Sequence, residues 1–199
     1  MIRMYPNIIH KDLQEHIKNT LLEKQFPWFF VKDISQEGNP NQKRPGFSHH
    51  YFAENEINSD YFEIIEPIIS NTFNKSKTTM NNYDRKDIIE ARSFLQLPLN
   101  KDYIGEGVDT PHIDKRFPHM VFLYYVLDSD GDTIIYENKF NKDNKESQPP
   151  KDLKLLVRFK PKQGTVVIFD GAHYHTAEQP RHNTRCIINI NIDKKSLLG

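Results

Sequence analysis

Gly164-Thr165-Val166-Val167-Ile168-Phe169-Asp170-Gly171, followed by Arg185-Cys186-Ile187-Ile188-Asn189-Ile190-Asn191-Ile192, decides the fold class. The first stretch is an apolar strand bounded by the turn signal Pro161-Lys162-Gln163-Gly164 and by Asp170-Gly171; the second alternates along its length. Working outward, short β-rich runs recur at 88–97, 120–127, 133–136, 153–159, 165–169 and 185–192. Pro98 stops the first run, and Asp128-Ser129-Asp130-Gly131 follows the second. Many short strands separated by turns predict a sandwich or barrel.

Before residue 87 the period is helical. Ile9, Leu13, Ile17 and Leu21 recur every fourth position, which predicts an amphipathic helix over 8–24. A second helix is expected to open at Asp60, capped with Glu63, and to carry Phe62, Ile65, Ile69 and Phe73 to a core; Pro67 either kinks it or marks its start. The aromatic run 26–31 reads as an edge strand because Pro27 lies inside it. Polar loops are expected through Gly38, Pro40 and Pro45, over 75–84 and over 138–150. The fold class is therefore α+β, mainly β: a jelly-roll core, or double-stranded β-helix, at 87–199, with a helical and β support region at 1–86, in one compact domain.

Charge and composition narrow the function. Among 199 residues, 27 Lys and Arg balance 27 Asp and Glu, so nucleic acid and anionic membranes are not expected partners. Hydrophobic residues make up 37 %, but 13 Phe, 9 Tyr and 1 Trp each bury large surfaces, enough for a sizeable core. The single Cys186 cannot form an internal disulfide, and Met1 to Asn7 lacks a signal-peptide apolar region. A reducing, cytoplasmic setting is the expectation.

His112-Ile113-Asp114 carries the chemistry. On an extended chain, positions i and i+2 share a face and offer imidazole and carboxylate to one metal. With 9 His and 27 acids in 199 residues, roughly one such pair is expected by chance, so the motif alone is weak. His10-Lys11-Asp12 is the chance match: it opens a helix, where i and i+2 diverge by ~200°. His112-Ile113-Asp114 differs in its company. A third ligand can come from His173 or His175 after the apolar strand, and Arg185 heads the next strand. Two imidazoles and one carboxylate with open positions form the facial triad of non-heme Fe(II) oxygenases.

In this order the elements resemble the Fe(II)- and 2-oxoglutarate-dependent dioxygenases, nearest to the prolyl-4-hydroxylase-like branch. The resemblance runs over about 87–192: His112-Ile113-Asp114, Tyr124-Tyr125-Val126-Leu127, Gly131-Asp132-Thr133, Lys160-Pro161-Lys162-Gln163-Gly164-Thr165, Phe169-Asp170-Gly171, His175 and Arg185. It implies that His112, Asp114 and His175 hold Fe(II), with His175 preferred over His173 by its spacing to Arg185. It implies that Arg185 and Tyr125 bind the far carboxylate of 2-oxoglutarate, and that Tyr103 approaches its metal-side end. Tyr124 points to the opposite face from Tyr125. His119 and His182 are expected to be solvated or in the outer sphere, His49-His50 to be an exposed pair, and Cys186 to be a buried small apolar group. Arg92, Lys115, Arg116 and His119 sit where they can line the pocket mouth, although Arg and Lys beside a motif are usually solvated.

The implied reaction consumes O2 and 2-oxoglutarate, releases succinate and CO2, and hydroxylates a C–H bond of an amino-acid side chain in a peptide or of a small molecule, with ascorbate as reductant. The alternative is a non-oxidative cupin-like metal-binding or jelly-roll binding protein. Oligomeric state does not follow from the sequence.

Overall fold

The computed structural model describes residues 1–34, 44–76, 84–100, 107–141 and 149–197. Strand β1 (Ile2–Tyr5) leads into helix α1 (Lys11–Leu22), whose first turn is capped by the His10 ring accepting from the Asp12 N–H. Next come β2 (Phe29–Val31), β3 (Gly46–Ala53), β4 (Glu56–Ile57) and helix α2 (Phe62–Ser76). The remainder is β: β5 (Ile88–Gln96), β6 (His119–Tyr125), β7 (Thr133–Lys139), β8 (Leu155–Phe159), β9 (Val166–Asp170), β10 (His173–Ala177) and β11 (Arg185–Asp193).

The strands form two antiparallel sheets, as expected of a jelly-roll core. The larger runs β1-β9-β6-β11-β5-β3-β2, with β4 on β3; the smaller runs β10-β7-β8. Two isolated bridges, Val108 to Glu178 and His112 to His175, lay the segment before Asp114 along the free side of β10. The period-two alternation of β11 gives the larger sheet two faces. Cys186, Ile188, Ile190 and Ile192 join Ile17 and Leu21 of α1 and Ile65, Ile68, Ile69 and Phe73 of α2 in one core. Ile187 faces the other way and packs with Val121, Leu123, Tyr125, Val167 and Phe169 against Ile135 of the smaller sheet. Each such fully buried side chain contributes roughly 1.5–3 kcal/mol. No helix among the described residues is long and apolar enough to cross a membrane.

The structure departs from the sequence reading in five places. β3 follows directly on the expected loop, in a stretch to which the sequence assigns no element; its alternation is masked by polar Ser48, His49 and His50 and by a bulge between His50 and Phe52. β1 carries no sequence signal, since four residues are too short for periodicity to register. The segment with His173 and His175, which follows the Asp170-Gly171 turn signal and has no strand expected in it, is itself a strand. In α2 the Ser59 hydroxyl, not Asp60, accepts the Tyr61 N–H, and Pro67 lies inside the helix without marking its start. His49 is not half of an exposed pair: its ring is buried, with Nδ1 3.0 Å from Pro27 O and Nε2 2.8 Å from Ser59 Oγ, while His50 is exposed.

Candidate metal centre and anion pocket

His112 and His175 face each other across the bridge between the two segments. The His112 N–H donates to His175 O at 2.9 Å and the His175 N–H to His112 O at 3.0 Å. Their Nδ1 atoms lie 3.0 Å from Thr110 O and 3.1 Å from His173 O. A carbonyl can only accept, so Nδ1 carries the proton and each Nε2 presents a lone pair. Both Nε2 atoms are 3.8 Å from Asp114 Oδ1, and the three ligand atoms all lie within 4.8 Å of one another. The other carboxylate oxygen, Oδ2, accepts from Asn189 Nδ2 at 3.0 Å, and Arg92 Nη2 is 3.5 Å from Oδ1.

The electrostatics suit a cation. Burial, with His175 beside it, pushes the His112 ring down to about 4, so it is neutral and able to ligate at ordinary pH. Burial would raise the Asp114 carboxyl, but its neighbours, His175 first, then His112 and the Arg92 guanidinium, hold it well below the usual carboxylate range. Two neutral imidazoles and one carboxylate fit a divalent first-row metal with positions to spare.

A cavity of about 70 Å³ opens from these three residues. At 10–15 Å³ per water it has room for roughly five, the size of a small organic acid. Arg185, 4 % exposed, stands at its far end. Its Nε donates to Gly131 O, Nη1 to Gln96 Oε1 and Nη2 to Thr133 Oγ1, each at 3.0 Å. All three acceptors are neutral, and among the described residues no carboxylate lies within ion-pair distance of this guanidinium. Such a buried charge requires an anion. Gly131 makes room for it: a Cβ there would meet Glu178 O at 2.6 Å and Arg185 Cδ at 3.0 Å. The turn before β11 is fixed by Asp130, which accepts the N–H groups of Arg181, His182 and Asn183 at 3.0–3.1 Å. Gln96 also donates to Asp109, which pairs with buried Arg44.

The remaining sequence candidates fall as follows. Tyr125 is buried on the cavity side of β6; its hydroxyl makes no hydrogen bond of good geometry, and burial raises it to about 12 against the nearby Thr133 and Arg185. Tyr124 packs on the helix side. Tyr103 lies outside the described residues. His173 is turned away by a bulge before His175, with Nδ1 2.8 Å from Tyr136 O. His182 is exposed; His119 is buried rather than solvated, with Nδ1 2.8 Å from Phe117 O. Cys186 is buried in the helix-side core. The sequence reading missed Asn189, Gln96 and Thr133. Alternation along β11 placed Asn189 on the face of Arg185, a signal present but unused; Gln96 and Thr133 become partners only through strand pairing.

No protein-family model matches the chain, and no curated protein matches it. Solved structures do. A 2OG-Fe(II) oxygenase family oxidoreductase from Burkholderia pseudomallei aligns over 96 % of this chain and 84 % of its own, at TM-score 0.65 and 15 % identity. A prolyl hydroxylase from Trichoplax adhaerens, solved with a hypoxia-inducible-factor peptide fragment, aligns over 99 % and 86 %, at TM-score 0.60 and 14 % identity. The epimerase SnoN of nogalamycin biosynthesis, solved with Fe3+ and alpha-ketoglutarate, aligns over 96 % and 78 %, at TM-score 0.62 and 10 % identity. The chain has the fold of the 2-oxoglutarate and Fe(II) oxygenases.

Proposed function

We propose that this chain is an Fe(II)- and 2-oxoglutarate-dependent dioxygenase that hydroxylates a C–H bond of an amino-acid side chain or small molecule. The observation that carries the reading is the buried Arg185 guanidinium, lacking a carboxylate partner, in a cavity whose other wall holds His112, Asp114 and His175. A structural arginine would be paired within the protein; this one is held by neutral acceptors with its charge left for a ligand.

In this reading His112 Nε2, His175 Nε2 and Asp114 Oδ1 hold Fe(II). Bound iron, 2-oxoglutarate and O2 supply the oxidising chemistry, with succinate and CO2 as by-products. Arg185 binds the far carboxylate of the co-substrate, with Thr133, Gln96 and Gly131 O fixing the plane of the guanidinium and Tyr125 offering an unspent hydroxyl. Thr110 O and His173 O keep the two rings in the ligating tautomer, and Asn189 holds the carboxylate rotamer. Phe94, Val121, Leu123, Phe169 and Ile187 line the cavity between the two ends and exclude bulk water from it. We place the chemistry in a double-stranded β-helix at 87–199, with 1–86 as its buttress, Tyr103 near the metal-side end of the co-substrate and the protein in the cytoplasm. The hydroxylation outcome is the finer part of the reading, since fold relatives also include an epimerase and a carbocyclase.

The test needs no substrate. Fe(II) and 2-oxoglutarate are added anaerobically to metal-free protein, and the weak visible charge-transfer band of an iron-chelated keto acid is followed. The band is expected in the wild type and is expected to need far more 2-oxoglutarate in Arg185→Ala. Iron binding without the band would favour a non-oxidative cupin-like metal protein.

A further inference from the structure

The inner face of the larger sheet carries cations at both ends of the cavity, and the dioxygenase reading uses only one. Pairing of β11 with β5 sets Arg185 opposite Gln96 and Asn189 opposite Arg92. Arg185 and Asn189 are four residues apart, about 13 Å along a strand, with the Asp114 carboxylate at the Asn189 end. Arg92, 12 % exposed, lines the same cavity as Arg185.

We propose that Arg92 receives a carboxylate of the primary substrate, beside the metal ligands and opposite the co-substrate anchor, so that the substrate is a small monocarboxylic acid with an N–H or O–H donor near that carboxylate. The proposal rests on the dioxygenase reading and assigns its substrate class.

Three observations support it. The first is charge. Around Arg92 stand Lys115, whose Nζ is 3.0 Å from Glu90 Oε2; Glu90 itself, 3.5 Å from Arg92 Nη1; His50, 3.9 Å from Glu90; and Asp114. Glu90 balances one of the two cations. The Asp114 charge belongs to the metal it would hold, and one positive charge is left. A single surplus charge matches a carboxylate better than a doubly charged phosphate.

The second is unspent hydrogen-bonding capacity. Arg92 Nε and Asn189 Oδ1 are buried and without a partner, although Asn189 is only 6 % exposed and lines the cavity. Buried polar groups are rarely left so, and two of them on paired residues that line one cavity mark the place of a polar ligand. Asn189 Nδ2 is committed to Asp114, so its Oδ1 can only accept, which sets the donor near the carboxylate.

The third is position. The Arg92 guanidinium lies over the Phe94 ring, 5.0 Å from its centroid, which fixes it at the cavity wall rather than in solvent. From there, a carboxylate on Arg92 leaves the carbons attached to it close to the three metal ligands, where a C–H bond must lie to be attacked.

The anaerobic band is recorded first, and if it is absent the dioxygenase reading falls and this inference with it. With the band in place, free L-amino acids, 2-hydroxy acids and N-acetyl amino acids are each added alongside their primary amides. Perturbation of the band and aerobic succinate release are read for every pair. At least one acid is expected to exceed its amide tenfold or more in both readouts. In Arg92→Gln that acid-over-amide ratio is expected to fall toward one, and in Arg92→Lys to be partly kept. Amides matching their acids, no acid acting at all, or a ratio unchanged in Arg92→Gln would each overturn the proposal. If Arg92→Gln is poorly folded, the wild-type ratio alone decides. Loss of iron in Arg92→Gln with the ratio intact would make Arg92 a positioning residue for Asp114 and would also overturn it.

Discussion

His112 and His175 are bound to each other through their backbones before any metal arrives, by two reciprocal N–H to O=C bonds across one antiparallel bridge, with ring centroids 4.7 Å apart. Both ligating nitrogens are thus set by the strand pairing itself and by the two carbonyls that fix the ring protons. On the proposed reading the metal centre is built before loading, and its properties can be read from residues that never touch the metal.

Asp114→Ala removes the one anionic ligand, strands the Asn189 amide and takes from Arg92 one of its two carboxylate neighbours. Iron affinity should fall by more than the roughly 10–100-fold typical of outer-sphere changes, and turnover should disappear with it. Equilibrium dialysis against Fe(II) checks this, and retained affinity would contradict the ligand assignment.

Binding of 2-oxoglutarate should stabilise the wild-type iron protein and do so through Arg185. At 100 times Kd a ligand contributes about 2.7 kcal/mol, or roughly 5–10 °C in Tm for a chain of this size. A charged hydrogen-bonded contact is worth about 1.5–3 kcal/mol, so Arg185→Gln should lose most of that shift at the same concentration. Thermal denaturation with and without 2-oxoglutarate decides; equal shifts in both proteins would remove Arg185 from the site.

Gly131→Ala should weaken 2-oxoglutarate without touching iron. The new Cβ meets the Glu178 carbonyl and the Arg185 stem, so either the turn or the guanidinium must move. Overpacking of this kind costs about 1–3 kcal/mol. The KM for 2-oxoglutarate should rise while iron affinity holds; an unchanged KM would show that the turn yields instead.

Acid should unfold the metal-free protein in a particular window. The His112 ring titrates near 6.5 when unfolded and at about 4 in the fold, so as pH falls the unfolded chain takes up the proton first. The stability due to keeping this ring neutral is fully present above about 6.5 and lost on the way to about 4. Burial lowers His49, His50, His119 and His173 too, so the wild type should lose stability from several rings at once. Asp114 adds a loss only below the ordinary carboxylate range. Urea denaturation at pH 7.5, 5.5 and 4.5 should give a shallower decline for His112→Gln than for the wild type, and parallel declines would show that His112 takes no part.

Much of this was legible in the sequence because it depends on short periods and short spacings. The apolar run 165–169 and the alternation over 185–192 are local patterns, and local sterics suffice to make them strands. The i, i+2 relation of His112 and Asp114 likewise needs only an extended chain. The polar strand β3 was not legible, since its place in the sheet is set by pairing with β5 and not by its own pattern. Nor was the bulge between His173 and His175, which gives a physical reason for the preference that the spacing to Arg185 had already set, nor the burial of His49. Sequence by itself determined which residue types could hold a metal and an anion, because chemistry belongs to the side chain. Only the tertiary structure decided that Arg185 meets neutral acceptors and that Arg92, 93 residues earlier in the chain, shares its cavity, because burial and charge balance are sums over neighbours that the order of residues does not contain.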